Sequence, residues 1–361
     1  MKLRRLTGLL LSLTLLFCSC AHSTPAPAAQ EQSFSSPSET ASDAPSESEE
    51  KDDVSAPKTD PAPAQEASFT LCAYLPVSSM TQGAAAVAEE YAGSIAALDY
   101  LVLNTGAYWD ENGALSLSDE LLDAIETLQG KTALWCTVNP QGALIREGTA
   151  GQSIDSPQER QALAQEIAAF AEQYGLAGID IDWEFPLDDE WEDFSTFLIA
   201  LKDTLSRNSE PVALSLALYP EEIALSEEAI AALDRIHVMA YDQFDSEGFH
   251  STMQTAEDAV AYFTALGASP QQLVLGIPAY GRPLDGSAQW VFYKDIDPES
   301  ISGENPDLVG DISFNSAATA AQKTQYALEQ NLGGVMVYQL LCDRNDQDAL
   351  ILACANMAKN A

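Results

Sequence analysis

From Phe69 onward, short apolar runs alternate with stretches whose apolar residues recur every three or four positions. The runs are FTLCAYL (69–75), YLVLNTG (100–106), TALWCTV (132–138), GIDIDWE (178–184), VALSLAL (212–218), RIHVMAY (235–241), QLVLGIP (272–278) and GVMVYQL (334–340). Their length and their Val, Ile and Leu content predict strands. Between the third and fourth, PQERQALAQEIAAFAEQYG sets Leu163, Ile167, Phe170 and Tyr174 on one helical stripe. Ser156 is placed to cap that helix, and Pro157 fits its first position. After the fourth, LDDEWEDFSTFLIALKDTL does the same with Phe194, Phe197, Leu198, Leu201 and Leu205. Strands alternating with helices predict parallel βαβ units, and eight units in roughly 290 residues predict an α/β fold of the (β/α)8, or TIM, barrel type. A doubly wound open sheet is the alternative. It usually carries a glycine-rich phosphate turn after its first strand, and AYLPVSS has none.

The fourth run departs from the others. In GIDIDWEFP, Asp180, Asp182 and Glu184 alternate with Ile179, Ile181 and Trp183. In a barrel strand the apolar set faces the surrounding helices, and the acids face inward, rising toward the C-terminal rim. Inward acids at about 6.6–7 Å intervals repel by roughly 2.5 kcal/mol per neighbouring pair at an effective dielectric near 20. At least one proton is therefore retained near neutral pH, and Glu184 at the rim is placed to act as a general acid. A solvated antiparallel strand would also alternate, but the βα pattern around this run argues against one. A Ca²⁺ loop needs a turn glycine and a distant bidentate Glu, which DIDWEF lacks.

The chain begins differently. MKLRRLTGLLLSLTLLFCSC joins Lys2, Arg4 and Arg5 to an apolar run from Leu9 to Phe17, too short to span a bilayer, and reads as a secretory signal over residues 1–20. Its end, Cys18-Ser19-Cys20, resembles a bacterial lipobox, with Cys20 as the lipidation site and Cys18 as the second candidate. Ordinary signal cleavage with secretion is the alternative. Residues 21–67 are Pro, Ala, Ser and acid with a single aromatic, a composition that cannot offset its ordering entropy. They are expected to form a disordered tether averaging roughly 35–40 Å end to end. The folded domain is expected over 68–361, held outside the cell membrane by an N-terminal lipid.

Charge and cysteines narrow the partners. The formal net charge is −39, which argues against nucleic acid. Three histidines and no Cys-x-x-Cys pair argue against zinc, and no metal or cofactor is expected. Cys72, Cys136, Cys342 and Cys354 sit among apolar neighbours and read as small core residues. A monomer is expected.

GIDIDWEFP resembles the signature of glycoside hydrolase family 18, the chitinase family, written D-x-x-D-x-D-x-E on the fourth barrel strand. The resemblance covers about residues 69–358. It implies that Glu184 is the acid/base, that Asp182 orients a substrate acetamido group, and that Asp180 shares a proton with Asp182. VMAYDQF matches the strand-six motif through Met239, Tyr241 and Asp242. There the resemblance gives Tyr241 to the acetamido oxygen and Asp242 to the same subsite. LGASPQQLVLGIPAYGR resembles the strand-seven segment through Arg282, and KTQYALEQNLGGVMVYQLLCD the last helix and strand. Three positions depart from the family. Ala177 replaces the first acid, Tyr338 stands where Trp usually floors the cleft, and TALWCTVNP lacks the S-x-G-G of strand three. About 55 residues separate strands seven and eight, too few for a large extra α/β insertion domain.

The implied reaction is retaining hydrolysis of β-1,4 bonds in N-acetylglucosamine glycans, with the substrate acetamide as nucleophile. Family 18 is a known exception to the two-carboxylate scheme of retaining glycosidases. Chitin oligomers, the chitobiose core of N-glycans and peptidoglycan all carry the group. Residues 68–361 hold 45 acids against 11 bases, a net of −34, and this field ranks neutral glycans above polyanionic peptidoglycan. Tyr338, and second Tyr74, are the expected sugar-stacking rings. Some family members lack the catalytic Glu and act as lectins; here Glu184, Asp182, Tyr241 and Asp242 are all present, which favours an enzyme.

The leader yields a first prediction. Cys20→Ala should release the protein into the medium or leave its precursor uncleaved, read by membrane fractionation and mass. A Cys20→Ala protein that still matures as a membrane-bound lipoprotein would defeat the assignment.

Overall fold

A computed structural model describes residues 69–301 and 305–361. The expected signal, the tether and Cys20 lie outside the described residues. Eight parallel strands form the barrel: β1 (Thr70–Pro76), β2 (Tyr100–Trp109), β3 (Ala133–Pro140), β4 (Gly178–Ile181), β5 (Ala213–Leu218), β6 (Arg235–Val238), β7 (Leu273–Pro278) and β8 (Gly334–Tyr338). Each pairs with the next in chain order. β8 pairs with β1 from Thr70↔Gly334 to Ala73↔Val337, which closes the sheet. The expected (β/α)8 barrel is therefore present, with helices outside each strand.

Alternation along each strand separates two cores. Ile179 and Ile181 on β4, Leu214 and Leu216 on β5, and Leu273, Leu275 and Ile277 on β7 pack outward into one large apolar shell. The predicted helix stripes meet them there: Leu163, Ile167 and Phe170 from Pro157–Tyr174, and Phe194, Phe197, Leu198 and Leu201 from Trp191–Leu205. The first of these helices starts with a reciprocal cap. Ser156 Oγ accepts from the Glu159 N–H at 3.2 Å, and Glu159 accepts from the Ser156 N–H at 2.9 Å. The inner cluster is smaller and richer in rings: Tyr74, Tyr100, Trp135, Met239, Tyr241 and Met336 belong to it. Cys72, Cys136, Cys342 and Cys354 are free thiols and buried.

The segment between β7 and β8 is not empty. Among the described residues it holds four short antiparallel strands, Tyr280–Pro283, Val291–Phe292, Leu308–Val309 and Ile312–Ser313. They form a patch at the C-terminal rim and bring Tyr280, Arg282 and Trp290 to the barrel mouth.

Space inside the barrel is tightly allotted. Gly178 lies opposite Trp135, and a Cβ on it would fall 2.1 Å from the Trp135 ring. Trp135 in turn stacks on Tyr100 at 4.3 Å with 19° between planes. Gly178→Ala should therefore lower unfolding free energy by about 1–3 kcal/mol, the usual range for overpacking. The measurement is the urea midpoint, and an unchanged midpoint would mean that the indole has room to retreat.

Candidate active site

The site is built from the C-terminal ends of the strands. β4 delivers the three acids at three depths. Asp180 is fully buried, Asp182 is half-buried, and Glu184 reaches the accessible mouth. The ladder hydrogen bonds stop at Ile181, and the Asp182 N–H donates to Asn139 Oδ1 at 2.8 Å instead. Trp183 points the other way, against Phe194 at 5.1 Å and Trp109 at 6.3 Å. The alternation read from the sequence thus holds through Trp183.

The deepest acid is held by hydroxyls. Tyr74 Oη donates to Asp180 Oδ2 at 2.8 Å, Thr137 Oγ1 to the same oxygen at 3.0 Å, and Ser215 Oγ to Oδ1 at 2.5 Å. One step higher, burial raises Asp182 well above the usual carboxylate range, helped by the charges of Glu184 and Asp180. Asp182 and Glu184 share a hydrogen bond, which favours the proton on Asp182. Glu184 is itself raised, first by the desolvating walls of the cleft and also by the charge of Asp242, even though water reaches the side chain. Asp182 Oδ1 is buried without a partner, as is Asn104 Oδ1 from β2.

The loop after β6 supplies the opposite wall. Tyr241 is buried, and burial pushes its phenol well above its ordinary value. Asp242 has a left-handed backbone with φ 59°. Its carboxylate accepts from Tyr280 Oη at 2.7 Å and pairs with Arg282, while its N–H donates to His250 Nε2 at 3.0 Å. Burial alone would raise this carboxyl, but His250, Tyr280 and Arg282 together hold it below its usual value. Arg282, expected to bind substrate, is thus engaged with Asp242 and with the Ser287 carbonyl. Behind this loop lies Lys323, fully buried, which donates to the Ser251 carbonyl at 2.7 Å and to Asn315 Oδ1 at 2.7 Å. Burial lowers its amine to about 7.

The aromatic surface differs from the one expected. Tyr338 does lie at the site, half-buried, 5.5 Å from Tyr241 and nearly parallel to it. Tyr74 does not reach the rim. It is only 2% exposed, and its hydroxyl lies within hydrogen-bond distance of both Asp180 and His237. The strand ends two residues later, at Pro76, and Tyr74 stays buried below the rim. Met239 is likewise buried in the inner cluster. Sequence reading missed Trp290, which stacks face to face on Tyr280 at 3.7 Å and stands edge-on to Tyr338 at 6.3 Å. It missed Asn139, Asn104 and His237 as well. His237 and Asn104 were findable, because period-two alternation in RIHVMAY and YLVLNTG puts them on the inward face. Trp290 lies in an irregular segment with no such period.

Among the described residues, no group of three or more His, Cys, Asp or Glu is placed to hold a metal ion. What the arrangement offers is a pair of hydrogen-bonded acids, the lower half-buried and the upper open to the mouth of an aromatic cleft.

Comparisons with known proteins agree with this geometry. Chitinase 1 of Aphanocladium album is 25% identical over 252 residues, 55% of this chain and 60% of that protein. Nod factor hydrolase protein 1 of Medicago truncatula is 27% identical over 199 residues, 48% of this chain and 52% of that protein. The chain thus spans little more than half the length of these relatives. In three dimensions, the GH18 chitinase ChiB from the chitin utilization locus of Flavobacterium johnsoniae superposes with a TM-score of 0.67 at 22% identity, covering 81% of this chain and 94% of that one. A GH18 chitinase from Cycas revoluta in complex with (GlcNAc)3 gives 0.63 at 20% identity, covering 80% and 99%. These structures share the fold. The sequence model of glycosyl hydrolases family 18 matches residues 148–343, more than half of the chain and the stretch that carries β4 to β8 with Asp180, Asp182, Glu184, Tyr241 and Asp242, and the chain belongs to that family.

Proposed function

We propose that the protein is a retaining glycosidase that hydrolyses β-1,4 bonds of N-acetylglucosamine glycans with the substrate's own acetamide as nucleophile. The observation that carries this reading is the state of the carboxylates. A retaining glycosidase of the common type needs an ionised acid free to attack the anomeric carbon. Asp180 is buried under three hydroxyls, Asp182 is raised and bonded to Glu184, and Asp242 is engaged by Tyr280 and Arg282. None of the three is free, whereas Glu184 at the mouth can protonate a leaving oxygen.

The roles follow from position. Glu184 takes over the proton it shares with Asp182 and gives it to the glycosidic oxygen while the acetamide oxygen closes on the anomeric carbon, which leaves Asp182 as an acceptor. Asp182 Oδ1, buried and unpartnered, is the acceptor for the acetamide N–H. Tyr241 donates to the acetamide oxygen, and the Asp182–Tyr241 clamp pre-positions the nucleophile. Glu184 then takes a proton from the water that opens the oxazolinium ion. Tyr338 and Trp290 provide ring faces and edges for the pyranose. Relatives named chitinases, together with the domain's net charge of −34, favour neutral chitin-type oligomers or the N-glycan core over peptidoglycan.

The acid is tested first. Glu184→Gln keeps shape and removes the proton, and should lower turnover at least about 10²-fold with binding retained. Glu184 must be protonated to act, and its folded pKa is raised. Activity should therefore persist above the ordinary Glu value of about 4.3 and fall as pH rises through the raised pKa. A Glu184→Gln protein at wild-type rate, or a basic limb at the ordinary value, would move the acid elsewhere. A wild-type protein that binds oligomers without turning them over would instead be a lectin.

The nucleophile is tested by substrate. N-acetylglucosamine oligomers should be cleaved to β anomers, seen by NMR of the first product, and fully deacetylated chains should be inert. An initial α anomer, or equal rates on deacetylated chains, would refute assistance by the acetamide.

A further inference from the structure

The chemistry above leaves one fully buried imidazole unused. His237 comes from β6, four residues before Tyr241, and lies beneath the acids. Its Nδ1 is 2.7 Å from Tyr74 Oη and 3.3 Å from Asp180 Oδ1, and its Nε2 is 2.9 Å from Tyr100 Oη. Tyr100 and Trp135 flank the ring at 5.9 and 6.1 Å. Both nitrogens are therefore engaged by phenols, and neither meets water.

Counting hydrogens fixes the direction of these bonds. An ionised carboxylate only accepts, and a tyrosine hydroxyl has one hydrogen to give. Tyr74 gives that hydrogen to Asp180 Oδ2. At its other contact Tyr74 must accept, so Nδ1 of His237 must carry a hydrogen. We propose that His237 is a positioning residue whose Nδ1–H donates to Tyr74, turning the Tyr74 hydroxyl toward Asp180 so that Asp180 stays an acceptor and the proton of the acid stack stays between Asp182 and Glu184. An imidazole bare at Nδ1 would draw the Tyr74 hydrogen to itself. Asp180 would then lose one of its three hydroxyl donors in a fully buried layer, and the hold on the acids above it would loosen. No bond to substrate is involved, and the proposal rests on the glycosidase reading only for its kinetic test.

The surroundings leave few competitors. The titratable or charged groups in and around this layer are Cys72 and Tyr74 from β1, Asp99 just before β2, Tyr100 from β2, Cys136 from β3, Asp180 on β4 with Asp182 just after it, and Arg235 on β6 with Tyr241 just after it. β3 contributes an indole, and β7 and β8 contribute Val274 and Met336 to the same inner cluster. Burial raises the Cys72 thiol and the Tyr74 and Tyr100 phenols above their ordinary values, which keeps all three protonated.

Two readouts test the inference on the full chain. The sequence has three histidines, so ¹⁵N-histidine NMR can resolve His237, with its signals identified by their loss in His237→Asn. Nδ1 should be protonated, and its signal should shift in Tyr74→Phe; a bare Nδ1 overturns the proposal. In kinetics, Asn places an amide N–H where Nδ1–H stood. His237→Asn should keep kcat within about threefold, whereas His237→Leu should lower kcat about tenfold or more and shift the basic limb of kcat/KM with KM little changed. If His237→Leu fails to fold, Tyr74→Phe should give the same kinetic change, and adding His237→Asn to it should cause no further loss. Equal pH profiles in Tyr74→Phe and wild type would overturn the proposal. A wild-type protein inert on every acetamido glycan would refute the glycosidase reading, while the tautomer measurement would still decide the role of His237.

Discussion

A carboxylate on the axis of a barrel, out of reach of water, is the constraint around which this structure is arranged. An isolated buried charge is costly, and the cost falls only when every lone pair is met. Asp180 draws donors from β1, β3 and β5 and an imidazole from β6. Half of the barrel's strands thus converge on one residue of β4. The inner wall consequently holds Tyr, Thr, Ser and His where an ordinary barrel would hold branched aliphatics.

The acids above inherit that arrangement. Above the lowest carboxyl, burial first and then the charges of Glu184 and Asp180 raise Asp182 and favour a proton there. Glu184 is then held by one neighbour from below and by the field of Asp242 from across the cleft. Asp242 goes the other way, held below its usual value by His250, Tyr280 and Arg282. Two carboxyl groups of similar chemistry end in opposite states because one faces acids and the other faces Arg282, Tyr280 and His250.

Much of this was legible because strands announce themselves by period. Eight apolar runs gave the barrel, and the alternation in GIDIDWEFP oriented the acids correctly. What escaped lies where local pattern says nothing about depth or partner. Tyr74 alternates inward as a rim residue would, but depth depends on barrel stagger, and it ends buried beside Asp180, the deepest of the acids. Arg282 carries a charge suited to a ligand, yet its nearest carboxylate belongs to the protein itself. Trp290 sits in an aperiodic segment, so only tertiary structure brings it to Tyr280. Lys323 lies on a helix and reads from sequence as an exposed cation. It is buried because the Ser251 carbonyl and Asn315, 72 and 8 residues away, replace its water.

The patch between β7 and β8 divides labour in a way that bears on how such a protein can diversify. The acids and Tyr241 stand on and just after β4 and β6, inside a framework where even a methyl group on Gly178 would collide with an indole. Trp290, by contrast, sits just before the short strand Val291–Phe292, outside that framework, and meets the site through ring contacts with Tyr280 and Tyr338. Insertions and exchanges in the patch can therefore reshape the wall beside Tyr338 while the acid stack beneath is left intact. A chain built this way can vary what its cleft admits without disturbing the acids below.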